Sequence, residues 1–282
     1  MPTTAPFPRL PRWRWLALLA LATAGNALPQ SRELPVQVNT LTVASLHLPG
    51  EAAQWAAQRE RVLALLASLQ PDVIAIHDVR QTPQHPDPAC WLARQLGYGC
   101  DFVTADPPSQ PLRHGSALLS RHGVAEDGLT LLHGPDQFSA AGMQRLQLGP
   151  HLLNVYLACI HPQPDTRDAR AHQAADLHAW IAATHDGEPS LIVGDFAAPT
   201  DELVRYLPGF QPARRNPTRR PGNAIPPGHS HGADVLYQVR RFADVAQQPL
   251  ALPAEGQAPA LVLGTLATMR LLVADGSSDT SD

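Results

Sequence analysis

The chain has 282 residues, of which 44% are hydrophobic and 16% are charged, a balance typical of a globular protein rather than a disordered or fibrous one. All 21 residues counted as Lys plus Arg are arginines, which excludes lysine Schiff-base enzymes and ordinary phosphate-loop ATPases. The formal net charge of −4 gives no overall attraction to nucleic acid.

Residues 1–27 are predicted to be a secretory signal segment. Three arginines precede an apolar run at 15–24, and small residues follow it up to Ala27. The run is shorter than the ~20 residues that span a bilayer, which disfavours a membrane anchor. We therefore expect an exported protein, either periplasmic or secreted. In that setting Cys90 and Cys100 bracket a segment short enough for a disulfide to close.

Apolar runs and alternation predict strands along the rest of the chain, and apolar spacings of three and four residues predict helices. The predicted elements are a strand at 36–48, a helix at 51–69, a strand at 72–77, a helix at 89–96, strands at 102–104 and 116–119, a hairpin of strands at 143–148 and 152–160, a helix at 166–184, and strands at 190–193, 233–239 and 260–268.

The predicted fold class is α/β, in the broad sense that includes α+β. Strands outnumber helices, and the helices fall between groups of strands, which favours two packed mixed sheets flanked by helices. We expect a single domain at 28–274 and a disordered tail at 275–282. Residues 211–232 carry Pro, Gly, Asn and Arg without periodicity, which indicates a long exposed loop.

Four of the predicted strands end in a histidine or an aspartate, at His47, Asp78, His161 and Asp195. Because the carboxyl ends of strands in such sheets converge at one rim, we expect these side chains to lie close together. Imidazole and carboxylate groups ligate divalent cations, and a cation at such a rim stabilises charge that develops on a phosphoryl oxygen. The pattern therefore favours a phosphate-handling site.

Four segments follow one another in a distinctive order: Pro71–Ile76 behind a long helix, Gly115–Arg121, the strand that ends at His161, and Gly194–Phe196. In this order and spacing the chain resembles the endonuclease/exonuclease/phosphatase superfamily, with its deoxyribonuclease-like fold, over most of residues 36–270. The resemblance implies a four-layer α/β/β/α sandwich. It also implies hydrolysis, dependent on Mg²⁺ or Mn²⁺, of phosphoesters in nucleic acids, phospholipid head groups or sugar phosphates.

The resemblance assigns roles to five residues. His161 falls on a histidine that helps to hold the scissile phosphate, and Asp195 falls on an aspartate that orients or activates the nucleophile. Asp234 resembles an aspartate of a late strand, and these three are the candidate catalytic residues. Asp78 stands where the family has a metal-binding glutamate, and His47 stands where it has a metal-linked asparagine. Both are therefore candidate ligands for Mg²⁺ or Mn²⁺.

Besides His47 and Asp78, two places in the chain depart from the family pattern. Ala197 replaces the asparagine that follows Asp195 in the family, and Glu255–Gln257 replaces a Ser-Asp-His triplet. Gln257 cannot exchange a proton near neutral pH, and loss of a general base typically removes ~10²–10⁴ of the rate. Two hypotheses follow. The chain is a phosphoester hydrolase with reduced or lost catalysis, or it is a non-catalytic exported binding or scaffold protein on the same fold.

Residues 228–232 match the Gly-x-Ser-x-Gly pattern of serine hydrolases, but two prolines precede them and a predicted strand follows. The strand-turn-helix context that this motif needs is therefore missing. The His-x-His pair within it is a weak metal motif. Four arginines lie nearby at 214–220. Their guanidinium groups could contact phosphates, but we favour the interpretation that they belong to a solvated loop.

Overall fold

The computed structural model describes residues 40–48, 52–83, 87–134, 138–160, 167–196, 204–213, 235–254 and 260–272, which all lie in one unit, Val38–Asp282. Several sequence predictions concern residues outside these ranges. They are the signal segment at 1–27, the tail at 275–282, the loop at 214–232 with its serine-hydrolase pattern, the candidate site residues His161 and Asp234, and the departures at Ala197 and Glu255–Gln257.

The described residues include twelve strands and three longer helices. In chain order these are β1 (Thr40–His47), α1 (Ala52–Leu69), β2 (Val73–Gln81), α2 (Pro88–Leu96), β3 (Gly99–Val103), β4 (Arg113–Ser120), β5 (Val124–Leu132), β6 (Ser139–Leu148), β7 (His151–Ala158), α3 (Arg167–Thr184), β8 (Ser190–Val193), β9 (Phe210–Pro212), β10 (Val235–Gln238), β11 (Phe242–Leu252) and β12 (Leu261–Leu271).

The strands assemble into two six-stranded sheets. Sheet A has the order β11-β12-β1-β2-β4-β3, and sheet B has the order β5-β6-β7-β8-β10-β9. β1 pairs with β2 in parallel, and β7 pairs with β8 in parallel, whereas β12 and β6 flank these pairs in antiparallel orientation. Both sheets are therefore mixed, and the predicted class of two mixed sheets flanked by helices is confirmed.

Three apolar clusters hold the layers together. Val43 of sheet A and Val155 of sheet B belong to the cluster between the two inner faces. Helices α1 and α2 cover the outer face of sheet A, where Leu66 is fully buried, and α3 covers sheet B through residues such as Leu177. Full burial of an aliphatic side chain contributes about 1.5–3 kcal/mol, so these clusters stabilise the four-layer sandwich.

Three edge strands, β5, β9 and β11, escaped the sequence analysis, because edge strands lack the pattern of buried strands. The first residues of β5 are all exposed, so it shows no apolar alternation. β11 contains Pro249, which argues against a central strand but is compatible with an edge. The loop predicted at 211–232 is also wrong at its start, because Gln211 and Pro212 belong to β9.

A disulfide joins Cys90 in α2 to Cys100 in β3, which settles the pairing that the sequence left open. Cys159 is a free thiol. Asp87 caps α2 by accepting a hydrogen bond from the Cys90 amide at 3.0 Å. Within the described ranges, one tight cluster of three possible metal donors is found, and it consists of Asp87, Cys90 and Cys100. The disulfide and the helix cap explain why these three side chains lie together.

Within the described helices, none has the length and apolar character needed to cross a membrane.

Candidate active site

His47 lies at a rim where side chains of the two sheets meet. It is the last residue of β1, and its Nδ1 lies 3.2 Å from Asp78 Oδ2 while its Nε2 lies 3.6 Å from Asp195 Oδ2. Asp78 belongs to β2 of sheet A, whereas Asp195 follows β8 of sheet B. The structure therefore brings together three of the predicted site residues, with the imidazole standing between the two carboxylates.

Asp78 reaches this rim because β2 contains a bulge. β1 and β2 pair in parallel register up to His47 and His77, but the pairing of β2 with β4 shifts between Ile76 and Val79. Asp78 takes a left-handed φ of 54° within this irregularity, which costs about 1–3 kcal/mol for a residue other than glycine. The bulge leaves the side chain of Asp78 79% exposed beside His47, whereas the preceding His77 is buried.

Asp78 is held in its ionised form at neutral pH. The hydrogen bond with His47 lowers the pKa of Asp78 below its ordinary value, and the loss of some water around the carboxylate opposes this effect only in part. A full negative charge is therefore available at the rim for binding a cation.

The backbone that carries Asp195 is fixed by close packing against the end of β7. Phe196 is fully buried in the cluster beneath α3, and it forms a parallel bridge with Ile160. The amide of Ile160 donates to the carbonyl of Asp195 at 3.1 Å. At Gly194 a β-carbon would lie only 1.8 Å from the carbonyl oxygen of Ala158, so this position requires glycine.

Substitution Gly194→Ala is expected to destabilise the fold by ~1–3 kcal/mol, because the added methyl group meets backbone that cannot move aside easily. Urea denaturation measures the change. Gly123→Ala is the matched control, since a β-carbon at Gly123 has nothing within 4 Å. Equal midpoints for the two variants would show that the β7 and β8 ends are loosely packed.

A buried polar chain of four side chains links the two sheets directly beneath His47. His77 Nε2 lies 2.8 Å from Ser45 Oγ, and His77 Nδ1 lies 3.6 Å from Cys159 Sγ. Cys159 Sγ in turn lies 3.3 Å from Ser116 Oγ. Ser45, His77 and Ser116 belong to sheet A, and Cys159 follows β7 of sheet B, so this chain ties the sheets together below the rim.

Neither titratable member of the buried polar chain carries charge near neutral pH. Burial lowers the pKa of His77 to about 3, with a smaller effect from His47, and burial raises the pKa of Cys159 to about 11. The Cys159 thiol therefore stays protonated near neutral pH, which disfavours a nucleophilic role. Two proton arrangements satisfy every contact. In one, Ser116 donates to Cys159, the thiol donates to His77 Nδ1 and His77 Nε2 donates to Ser45; in the other, every donor and acceptor is exchanged.

The ring of His47 rests near the ring of His77, with centroids 5.3 Å apart. The buried polar chain thus forms the floor under the site. Sequence reasoning missed Ser45 and Ser116, because neither serine has a role in the motifs that the sequence analysis singled out. The only available signal was their place in apolar strands, where a buried hydroxyl needs a partner.

Comparisons with known proteins place the chain among related folds. The sequence model of the Endonuclease/Exonuclease/phosphatase family matches residues 36–225. No curated relative matches the chain significantly. The catalytic domain of human nocturnin, solved with a bound sulfate anion, shares 17% identity and a TM-score of 0.62 over 83% of this chain and 94% of that one.

Two bacterial structures are similar to the same extent. A mannosyl-6-phosphatase of Bacteroides thetaiotaomicron shares 13% identity and a TM-score of 0.63, over 83% of this chain and 100% of that one. An endonuclease/exonuclease/phosphatase family protein of Leptotrichia buccalis shares 10% identity and a TM-score of 0.61, over 83% and 99% respectively. At these identities the likeness establishes the fold alone.

Proposed function

The chain belongs to the endonuclease/exonuclease/phosphatase family, and on that premise we propose that it is a divalent-metal-dependent phosphoester hydrolase of low turnover. The observation that carries this proposal is the convergence of His47, Asp78 and Asp195 at one rim. Within this trio the neighbouring donors of His47 and Asp78 suit a cation and the phosphate group that it attracts. The sulfate in the nocturnin structure and the sugar-phosphate activity named for the Bacteroides protein are compatible with such a ligand.

The donors at the rim fit a divalent cation. Two ligand atoms bound side by side on an ion at about 2.1 Å lie about 3 Å apart, and His47 Nδ1 and Asp78 Oδ2 lie 3.2 Å apart. These two residues would hold Mg²⁺ or Mn²⁺ and leave other positions for phosphoryl oxygens. Such an ion, when bound, stabilises the negative charge that develops on the phosphoryl group.

We assign the other residues as follows. Asp195, whose carboxylate faces the same rim, orients the attacking water and accepts its proton. His161, three residues after the last residue of β7 in the sequence, would contact the phosphate, and Asp234, which directly precedes β10 in the sequence, would assist. Because Ala197 and Gln257 lack the groups that the family pattern supplies, we expect turnover to be slow.

We also propose that the protein is exported. The signal-like residues 1–27 support this location, as does the disulfide between Cys90 and Cys100, because structural disulfides persist in oxidising compartments.

A metal and substrate screen tests the proposed hydrolysis. The full chain is assayed with bis(p-nitrophenyl) phosphate, mannose 6-phosphate and plasmid DNA, each with Mg²⁺, Mn²⁺ or EDTA. We expect metal-dependent hydrolysis of at least one substrate and none in EDTA. Asp78→Ala should reduce the rate at limiting metal by about 10–100-fold. Mutation of residues that only support a metal ligand already lowers metal affinity or activity by this factor.

The matched control is Asp244→Ala. Asp244 also lies in a bulge with a left-handed φ, 53°, and its side chain is 73% exposed, but it pairs with Arg270 on sheet A. We expect this variant to keep wild-type activity. If the wild-type chain hydrolyses no substrate with either metal but binds DNA or a phosphate ester, the non-catalytic binding protein is the correct alternative.

A further inference from the structure

We propose that Nδ1 of His47 is a direct metal ligand, and that this nitrogen donor makes the site select a first-row transition ion such as Mn²⁺ or Zn²⁺ over Mg²⁺. The inference rests on the proposed function for the presence of a cation at the rim. It goes further by naming the donor atom and the class of ion that this atom favours.

The geometry around the ring distinguishes its two nitrogens. Nδ1 lies 3.2 Å from Asp78 Oδ2, a spacing that suits two neighbouring ligands of one ion. Nε2 points to the other side, toward Asp195 Oδ2 at 3.6 Å. A histidine that binds a metal usually presents its other ring N–H to a carboxylate, which fixes the tautomer and the ring orientation. In His47 the Nε2 contact with Asp195 is longer than a hydrogen bond, and the ring hydrogen-bonds to Asp78 through Nδ1. An ion bound at Nδ1 would leave the ring proton on Nε2, facing Asp195, with Asp78 as the companion ligand.

The ring is also held rigidly, as a selective ligand must be. His47 occupies a paired position at the end of β1, beside His77 of β2, and its side chain is only 24% exposed. His77 in turn is fully engaged by Ser45 and Cys159. The donor nitrogen is therefore positioned by strand pairing and by the buried polar chain before any ion arrives.

The chemistry of the donors sets the preference. Mg²⁺ favours an octahedral shell of oxygen atoms and gives up its waters reluctantly. Imidazole nitrogen suits Zn²⁺ and other transition ions, whose affinity for mixed nitrogen and oxygen ligands rises along the series from Mn²⁺ to Cu²⁺. A site with one imidazole and one carboxylate donor therefore discriminates against Mg²⁺, whereas an all-oxygen site does not.

Pulsed EPR of Mn²⁺ added to the untagged full chain tests the donor directly. We expect ¹⁴N modulation from a coordinated imidazole in the wild type and its loss in His47→Asn, which offers an amide oxygen instead. His133→Asn is the matched control, because His133 Nδ1 also lies near a carboxylate, 2.7 Å from Asp176 Oδ2. This variant should keep the modulation. Wild-type protein without ¹⁴N modulation, or modulation that persists in His47→Asn, would overturn the proposal.

Calorimetric titration with Mn²⁺ and Mg²⁺ tests selectivity without any substrate. In His47→Asn we expect Mn²⁺ affinity to fall about 10-fold or more and Mg²⁺ affinity to change by less than about threefold. Equal losses for both ions would contradict selection by the nitrogen. Circular dichroism verifies folding, and His47→Gln replaces His47→Asn if the latter is unfolded.

These measurements separate the inference from the proposed function. Nitrogen coordination and Mn²⁺ preference without turnover would support the metal assignment and refute the hydrolase. Turnover without nitrogen coordination would support the hydrolase and refute the role of His47.

Discussion

Exchange of Asp195 for asparagine is expected to lower kcat/KM for the best phosphoester substrate by ~10²–10⁴-fold, the usual contribution of a positioned acid or base. Asparagine keeps the size of the side chain but removes its charge and its capacity to accept a proton from water. The backbone at this position is fixed by Gly194 and Phe196, so the substitution should leave the fold intact. Steady-state kinetics under saturating metal measure the loss.

The control for this prediction is Asp176→Asn. Asp176 is a carboxylate of comparable exposure, 34% against 27% for Asp195, and it also contacts a histidine, His133. Asp176 lies on α3, and its contact with His133 places it beside the end of β5. In sheet B, β5 is three strands away from β8, the strand that precedes Asp195. We expect this variant to turn over at the wild-type rate. If Asp195→Asn is folded and equally active, Asp195 has no catalytic role and the proposed arrangement of the site is wrong.

The convergence of His47, Asp78 and Asp195 was predictable because each follows an apolar run of strand-like sequence. The ends of these apolar runs were expected to converge at one rim once the runs were recognised as strands of two packed sheets. The position of the His47 ring between the two carboxylates was not predictable. It depends on the bulge in β2, which arises from pairing with β4, and pairing between distant strands leaves no mark in a local pattern.

The edge strands and the buried polar chain were missed for a related reason. Apolar alternation reports which face of a strand is buried, so a strand such as β5, whose first residues are all exposed, gives no signal. Ser45 and Ser116 are small polar residues in apolar strands, and their partners, His77 and Cys159, lie far away in sequence. Only the packing of the two sheets brings these groups together.

The two aspartates that bracket β2 show how position decides role. Asp78, at the bulge, is exposed and faces the site, whereas Asp72, just before the strand, is only 4% exposed. Asp72 accepts hydrogen bonds from the amide of Thr42 at 2.7 Å, from Nε of Arg121 at 2.9 Å and from Nε2 of His122 at 2.8 Å. It therefore ties the start of β2 to β1 and to the turn after β4. Its role is structural.

Asp72→Ala is expected to destabilise the protein by about 1–3 kcal/mol, because it leaves the amide and hydroxyl of Thr42 without their acceptor and removes the counter-charge of Arg121. Urea denaturation at pH 7 measures this loss. Asp244→Ala, at an exposed site, should change stability by less than about 0.5 kcal/mol. A loss for Asp72→Ala as small as that of the control would show that the cluster of Arg121 and His122 around Asp72 does not stabilise the fold.

The same substitution should change how stability depends on pH. Burial tends to raise the pKa of Asp72, but the hydrogen bonds from His122, Thr42 and Arg121 outweigh it and leave the pKa below the ordinary 3.8. The unfolded chain therefore binds this proton at a higher pH than the folded protein does. The stabilisation is complete above the unfolded pKa and is lost as the pH falls through the folded one. The wild type should consequently lose its advantage over Asp72→Ala on acidification from pH 5, and an undiminished gap at the lowest pH would mean that packing, not charge, makes Asp72 important.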